Sequence, residues 1–303
     1  MDIYLPIAGM SVNALFIVAL GLLVGILSGM FGVGGGFLTT PLLIFYGIPP
    51  SVAVASATTQ ITGASVSGVL AHMRRGGVDL RMGGVMIAGG LVGSLAGAGL
   101  FRVLQSSGQI DTVIGLLYVL LLGSIGVLML RDAALALGWI KPAEDSKPRP
   151  RHNRWVAGLP LRWRFYASGL YLSPIAPALL GFVAGILTVL LGVGGGFILV
   201  PAMIYLFGMA ARVVVGTSLV MILAVSAATT MIHALTTQSV DIVLAALLLV
   251  GGVVGAQYGA LLTTRLKPDL LRLSLAVIIL LVALRMGLGL TYRPDEIFSI
   301  EYL

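Results

Sequence analysis

Six residues, Gly32-Val33-Gly34-Gly35-Gly36-Phe37, recur as Gly192-Val193-Gly194-Gly195-Gly196-Phe197, and apolar sequence surrounds both copies, 12–30 before the first and 178–191 before the second. The chain is a duplicated unit. Adjacent glycines lose more entropy in a helix than other residues do, so each cluster is expected to open the backbone. At membrane depth an opened backbone is tolerated only where protein buries it or where it lines a polar cavity. A helix that starts at Phe37 or Phe197 aims free amides and the positive end of its dipole into that cavity, an arrangement suited to an anion.

With 58% apolar and 10% charged residues over 303 positions, and a mean hydropathy of +1.09, the composition is that of a polytopic membrane protein. Gly21, Gly25, Gly29 and Gly89, Gly93, Gly97 have the one-turn spacing that lets membrane helices approach closely, and Gly181, Gly185 and Gly251, Gly255, Gly259 repeat it. The net charge of +7 is concentrated: eight of eighteen Lys and Arg lie between Arg131 and Arg164. With no nucleic-acid-binding motif beside them, topology accounts for these charges, and no nucleic-acid partner is expected. The absence of cysteine excludes disulfides and thiolate chemistry. No Lys or Arg precedes the first apolar run, so that run is expected to be a retained helix and not a signal peptide.

The first half has apolar segments at 12–30, 37–47, 51–73, 82–101 and 112–130. The second half answers with 178–191, 197–207, 213–235, 242–262 and 271–290. The segment 37–47 rises only about 16 Å as a helix against roughly 30 Å of hydrocarbon, so it needs the glycine stretch to complete a crossing. Pro49-Pro50 ends it. Landmarks pair across the halves: Ser28 with Thr188, Pro41 with Pro201, Ser56 with Thr217, His72 with His233, Asp79 with Asp241.

Loop charges set the orientation. Arg74, Arg75 and Arg81 place the third loop inside, as the 131–164 stretch does for the connector; 105–111 lacks Lys and Arg and belongs outside, with Arg102 at its edge the one exception. Arg212 and the group Arg265, Lys267 and Arg272 then fall inside, while 236–241 and the tail with Arg293, Asp295, Glu296 and Glu301 fall outside. Five crossings per half result, and an odd number inverts the second copy relative to the first. Four crossings per half would make the copies parallel and put the basic loops on opposite sides.

The expected fold class is an all-α polytopic membrane protein with two inverted five-segment repeats, about ten membrane segments of which two are short, and helices broken at the Gly-rich loops. The units are 1–130, an N-terminal membrane repeat; 131–177, a basic, Pro-containing cytoplasmic linker with Lys141-Pro142, Lys147-Pro148, Arg149-Pro150 and Trp155; and 178–303, a C-terminal membrane repeat. Both termini are expected outside.

The paired Gly-Val-Gly-Gly-Gly-Phe motifs, with Pro41 and Pro201 after them and a Ser/Thr-rich helix following each, resemble the TauE/SafE sulfite exporter family, over roughly 15–130 and 179–290. The resemblance implies export of sulfite or a related small sulfonated anion across the cytoplasmic membrane by a secondary transporter; other oxyanions stay open. Partners are a small anionic substrate and membrane lipid. No cofactor or metal is expected, and a homodimer is compatible with the sequence.

Substrate-binding candidates are Gly34, Gly35, Gly36, Gly194, Gly195 and Gly196, weighed against plain helix packing, which favours glycines one turn apart and not adjacent ones. Ser28, Thr188, Ser56, Thr58, Thr217 and Ser218 add hydroxyls able to bind an oxyanion without a buried charge, although a membrane-helix hydroxyl usually just satisfies a carbonyl one turn back. Thr59, Gln60 and Thr62 have no polar counterparts at Val220, Met221 and Leu223, which makes the site asymmetric. Arg285 lies inside the last segment, where an Arg is costly, although snorkelling accounts for it as well. His72 and His233 are proton-coupling candidates, with interfacial capping as the plainer role. An enzyme is disfavoured, since no Gly-x-Ser-x-Gly or His-Glu-x-x-His occurs and no Asp or Glu falls at mid-depth. A passive anion channel needs the same donors as a carrier and is the remaining alternative.

Overall fold

The computed structural model describes residues 2–31, 35–74, 76–139, 163–262 and 268–291. Gly34, Arg75, Arg265, Lys267, the linker residues 140–162 and the tail 292–303 lie outside the described residues, and so do the roles expected of them.

Each half begins with a β-hairpin and continues with five helices. In the first, β1 (Asp2–Leu5) pairs antiparallel with β2 (Met10–Asn13), followed by α1 (Ala14–Phe31), α2 (Gly36–Phe45), α3 (Pro50–Arg74), α4 (Leu80–Ser106) and α5 (Ile110–Ala136). In the second, β3 (Trp163–Phe165) pairs with β4 (Leu170–Leu172), followed by α6 (Ile175–Leu191), α7 (Gly196–Tyr205), α8 (Ala211–Ile232) with a π-helical turn at His233–Thr237, α9 (Ile242–Leu262) and α10 (Pro268–Thr291). The chain is mostly helical, and the two hairpins are an addition to the all-α expectation. Gly9 and Gly169, 160 residues apart, occupy corresponding places in the two hairpin turns, so the duplication extends upstream of the glycine motifs. The second hairpin falls inside the 131–177 stretch.

The spacing between landmarks grows from 160 (Pro41 to Pro201) to 161 (Ser56 to Thr217) and to 162 (Asp79 to Asp241). The structure accounts for both steps. The loop between α2 and α3 is one residue shorter than the loop between α7 and α8. The second extra residue lies between His233 and Asp241, where α8 ends in the π-helical turn, the form in which a helix absorbs a one-residue insertion.

Glycine ladders bring α1 against α9 and α4 against α6 at backbone distance. A Cβ at Gly21, Gly25 or Gly29 would lie within 2.7 Å of the carbonyl oxygen of Leu248, Gly252 or Ala256 respectively. Gly89, Gly93 and Gly97 likewise face Ala178, Phe182 and Ile186. Partner numbers rise together in both ladders, so each pair of helices is parallel. The third helices behave oppositely: Thr59 meets Thr230, Thr62 meets Ser226, and Gly68 meets Leu219, so α3 and α8 are antiparallel. Gly115 against Leu290 and Gly126 against Leu280 make α5 and α10 antiparallel too. The first helix of each half therefore packs on the fourth of the other, and third and fifth helices pack on their own counterparts.

Among the described residues, five helices are long and apolar enough to cross a membrane: α4, α5, α8 with its π-turn, α9 and α10. The helices α1, α2, α6 and α7 are shorter apolar elements. Helix α3 has the length, 25 residues, but carries a Ser/Thr/Gln-rich sequence. The outward faces of α4, α5 and α10 expose Leu95, Leu120 and Leu281, large apolar side chains suited to lipid and not to water.

Candidate functional site

Helices α2 and α7 are short because glycines precede them and a broken loop follows. Their N-caps, Gly35 (φ 72°) and Gly195 (φ 75°), hold left-handed backbone that glycine adopts without strain, and neither helix has a side-chain cap. The N–H groups of Leu38 and Thr39 turn back to the Gly35 carbonyl, as those of Ile198 and Leu199 do to Gly195. The amides of Gly36 and Phe37, and of Gly196 and Phe197, are left with no acceptor inside their helices.

The two helix starts meet. Phe37 and Phe197 stack with ring centroids 4.6 Å apart and planes 7° from parallel, both buried. A Cβ at Gly36 would stand 2.6 Å from the Gly192 carbonyl oxygen, so the two glycine stretches touch through their backbones. Ile61 of α3 fills the space over both: its Cδ1 lies 2.0 Å from that position at Gly36, and its Cγ2 lies 2.9 Å from a Cβ position at Gly194. Ile222, 161 residues on, approaches Gly194 at 3.2 Å.

Ser28 and Thr188 flank equivalent glycines. Ser28 Oγ lies 3.3 Å from the Cβ position of Gly35, and Thr188 Oγ1 lies 3.6 Å from that of Gly195. Thr188 donates to the Ala184 carbonyl at 2.7 Å and Thr58 to the Val54 carbonyl at 2.7 Å, the latter oxygen lying 2.5 Å from a Cβ position at Gly192. Gly35, Gly36, Gly194, Gly195, Gly196, Ser28, Thr188 and Thr58 thus converge around the Phe37–Phe197 stack.

Other candidates lie elsewhere. Ser56 accepts from the Asp241 amide at 3.2 Å and Thr217 from the Asp79 amide at 3.0 Å, which holds both at loop junctions. Ser218 donates to its own helix at Val215. Arg285 sits over the Phe45 ring, 5.3 Å from its centroid, at the far end of α2 and in a cleft of about 260 Å³ shared with Pro50 and Asp111. His72 is half-buried near the end of α3. His233, fully buried in the π-turn, directs Nε2 at the Val189 carbonyl (3.1 Å) and Nδ1 at Thr237 Oγ1 (3.2 Å), with Phe101 against its ring. A ring nitrogen facing a carbonyl carries the proton, so His233 is a donor that ties α8 to the end of α6.

Further residues border the site, and of these the sequence expectations name only Gln60. Ile61 and Ile222 are one equivalent pair at spacing 161; Ser65 and Ser226, one turn further on, are another, and both are buried. Ser65 Oγ and Gln60 Oε1 are buried without a hydrogen-bond partner. Tyr118, also buried, donates to the Leu191 carbonyl just before the second glycine cluster. The pairs at spacing 161 were legible; Tyr118 had no signal, being an aromatic in an apolar helix.

Over 273 residues the chain is 32% identical to a Bacillus subtilis (strain 168) protein named probable membrane transporter protein YjnA, covering 89% of this chain and 98% of that one. It is 29% identical over 280 residues to a probable membrane transporter protein of Xylella fastidiosa (strain Temecula1 / ATCC 700964), covering 91% and 95%. A shorter match, 36% over 64 residues and 21% of this chain, links it to sulfite exporter TauE/SafE family protein 1 of Arabidopsis thaliana, of which it covers 14%. No solved structure matches the chain. The family model for sulfite exporter TauE/SafE matches residues 17–286, which include both glycine motifs and the helices built around them: the chain is a membrane transporter of the TauE/SafE family.

Proposed function

We propose that the protein is a secondary transporter that exports a small sulfur-containing anion, sulfite or an organosulfonate, across the cytoplasmic membrane by alternating access. The observation that carries this is the meeting of two uncapped helix starts at the Phe37–Phe197 stack. Two dipoles and four amides aimed at one region favour negative charge there, and the Ser28 hydroxyl beside Gly35 adds a donor without a fixed cation that would trap the ion, while the Thr58 and Thr188 protons go to carbonyls of their own helices. The name of the Arabidopsis relative supports a sulfur oxyanion.

The helix directions support inverted repeats. With five crossings per half, α1 and α9 run the same way, α4 and α6 run the same way, and α3 and α5 oppose α8 and α10. Those are the relations the ladders describe. In this arrangement residues 1–130 and 178–303 form the two membrane repeats, the second preceded by its own hairpin at 163–172, the rest of the 131–177 connector is cytoplasmic and both termini are outside. His72 and His233 then lie toward opposite ends of the antiparallel α3/α8 pair, so the proton-coupling role falls to the half-buried His72, while the buried His233 could take part only once its bonds to Val189 and Thr237 part.

Liposome flux of sulfite, sulfate, thiosulfate, sulfoacetate and taurine tests the proposal. Saturable flux with counterflow for at least one sulfur anion is expected. Conductance without saturation would make the protein a channel, and no flux of any of them would remove sulfur from the assignment. Arg285→Gln is expected to lower flux about tenfold with folding yield retained, because an Arg within a membrane segment is costly and marks a place on the anion's path. Unchanged flux would take Arg285 off the path.

A further inference from the structure

Asp79 and Asp241 are buried carboxylates, 2% and 0% exposed, and each makes the same three kinds of bond. Asp79 caps α4 through the Met82 amide, accepts the Ser168 amide (3.0 Å) and hydroxyl (2.7 Å) in the turn of the second hairpin, and donates its own amide to Thr217 on α8. Asp241 caps α9 through the Val243 and Leu244 amides, accepts the Ile7 amide (3.1 Å) in the turn of the first hairpin, and donates its own amide to Ser56 on α3. Each aspartate belongs to one half, and its hairpin and hydroxyl belong to the other. Because α3 and α8 are antiparallel, the two clamps sit at opposite ends of that pair. From Ser56 to Arg74, α3 alone rises about 27 Å.

We propose that the two clamps are the paired gates of the transport cycle, each holding one end of the central site shut and released in alternation. This rests on the transporter reading. Because the glycine ladders lock α1 to α9 and α4 to α6, the third helices are the parts left to move, and a motion that opens either end must part the third-helix hydroxyl from the hairpin-braced aspartate at that end while the opposite clamp stays intact. Both are closed in this structure, with Ile61 packed over the glycine backbones. The clamps are unequal: Ala8 stands where the second hairpin has Ser168, so the Asp241 clamp lacks the hydroxyl bond. The Asp241 end is therefore the one that opens more readily at rest.

The cysteine-free chain permits a direct test. Thr59 and Val220 are equivalent positions, one turn from Ser56 and Thr217, so Thr59→Cys reports on the Asp241 end and Val220→Cys on the Asp79 end. Each is labelled in membrane vesicles with a membrane-impermeant maleimide applied from either side. Before any clamp is altered, Thr59→Cys is expected to label faster, and Ser168→Ala to reduce that bias. Asp241→Asn is expected to raise labelling at Thr59→Cys about tenfold, the population shift that follows from losing a hydrogen-bonded buried carboxylate, and to lower it at Val220→Cys; Asp79→Asn is expected to do the reverse. Where an Asp variant does not fold, Ser56→Ala and Thr217→Val remove one bond each and are expected to give the same opposite changes, about threefold. A change of the same sign at both reporters, or none, in folded protein makes the clamps static ties and overturns the proposal. No anion is added, so a failed sulfur flux and a failed clamp are read separately.

Discussion

Gly93→Ala is expected to cost about 3 kcal/mol of stability, whereas Gly99→Ala on the same helix gains roughly 0.5–1 kcal/mol. A Cβ at Gly93 would stand 2.1 Å from the Phe182 carbonyl oxygen and 2.8 Å from its carbon, backbone atoms of α6 that cannot turn aside. At Gly99 nothing lies within 4 Å, so alanine there only removes the entropy that glycine loses in a helix. Gly25→Ala, at the matching α1/α9 crossing, meets the Gly252 carbonyl oxygen at 2.4 Å and is expected to lose as much as Gly93→Ala. Gly97→Ala meets nothing nearer than 3.1 Å and falls between. Thermal unfolding of the purified protein in detergent, followed by the fraction that stays monodisperse after heating, checks the order. Equal shifts at Gly93 and Gly99 would mean that α4 and α6 do not touch through their backbones.

That ladder shows which parts of the fold the letters carried. Small residues one turn apart announce a close crossing, and the series at Gly21 and Gly89 did so. They do not name the partner, since every carbonyl-lined groove is alike in sequence; that the α1 ladder lies against α9 is a tertiary fact. The hairpins were hidden for another reason. Strands of three or four residues carry too short an alternation to stand out from the apolar runs they lead into, and only Gly9 and Gly169 survive as a common mark. The π-turn left a trace, the extra residue between His233 and Asp241, whose meaning needed the helix to be seen.

The site was legible to the same degree. Adjacent glycines marked where the helices break, and the structure places the breaks beside Ser28 and Thr188. What could not be read was direction. Ser56 and Thr217 face the loop aspartates and not the glycines, and Arg285 stands at Phe45, at the opposite end of α2 from its amides. A hydroxyl's neighbour depends on helix rotation, which a low-contrast apolar sequence does not encode. The aspartates pair in the sequence but carry no sign of their role there, because a carboxylate whose partners are mostly backbone amides has no charged counterpart to give it away.

Gly194→Ala is expected to cut anion flux roughly hundredfold in the liposomes that carry sulfite or an organosulfonate, since misplacing a set of donors by about 1 Å has effects of that size where geometry governs a reaction. Two causes combine there. The backbone is at φ +70°, where a Cβ costs about 1–2 kcal/mol, and the added methyl stands 2.9 Å from Ile61 Cγ2 and 3.2 Å from Ile222 Cγ2. Ile61→Ala removes the first of those contacts and leaves the strain, so the double variant Gly194→Ala/Ile61→Ala is expected to recover part of the flux. Gly36→Ala behaves differently. Its methyl meets Ile61 Cδ1 at 2.0 Å but also the Gly192 carbonyl oxygen at 2.6 Å, and only the first yields to Ile61→Ala. Rescue should therefore be clearly larger at Gly194 than at Gly36. Equal rescue at both would mean that the two glycine stretches do not touch through their backbones, and the shared anion region built from their amides would then have to be given up.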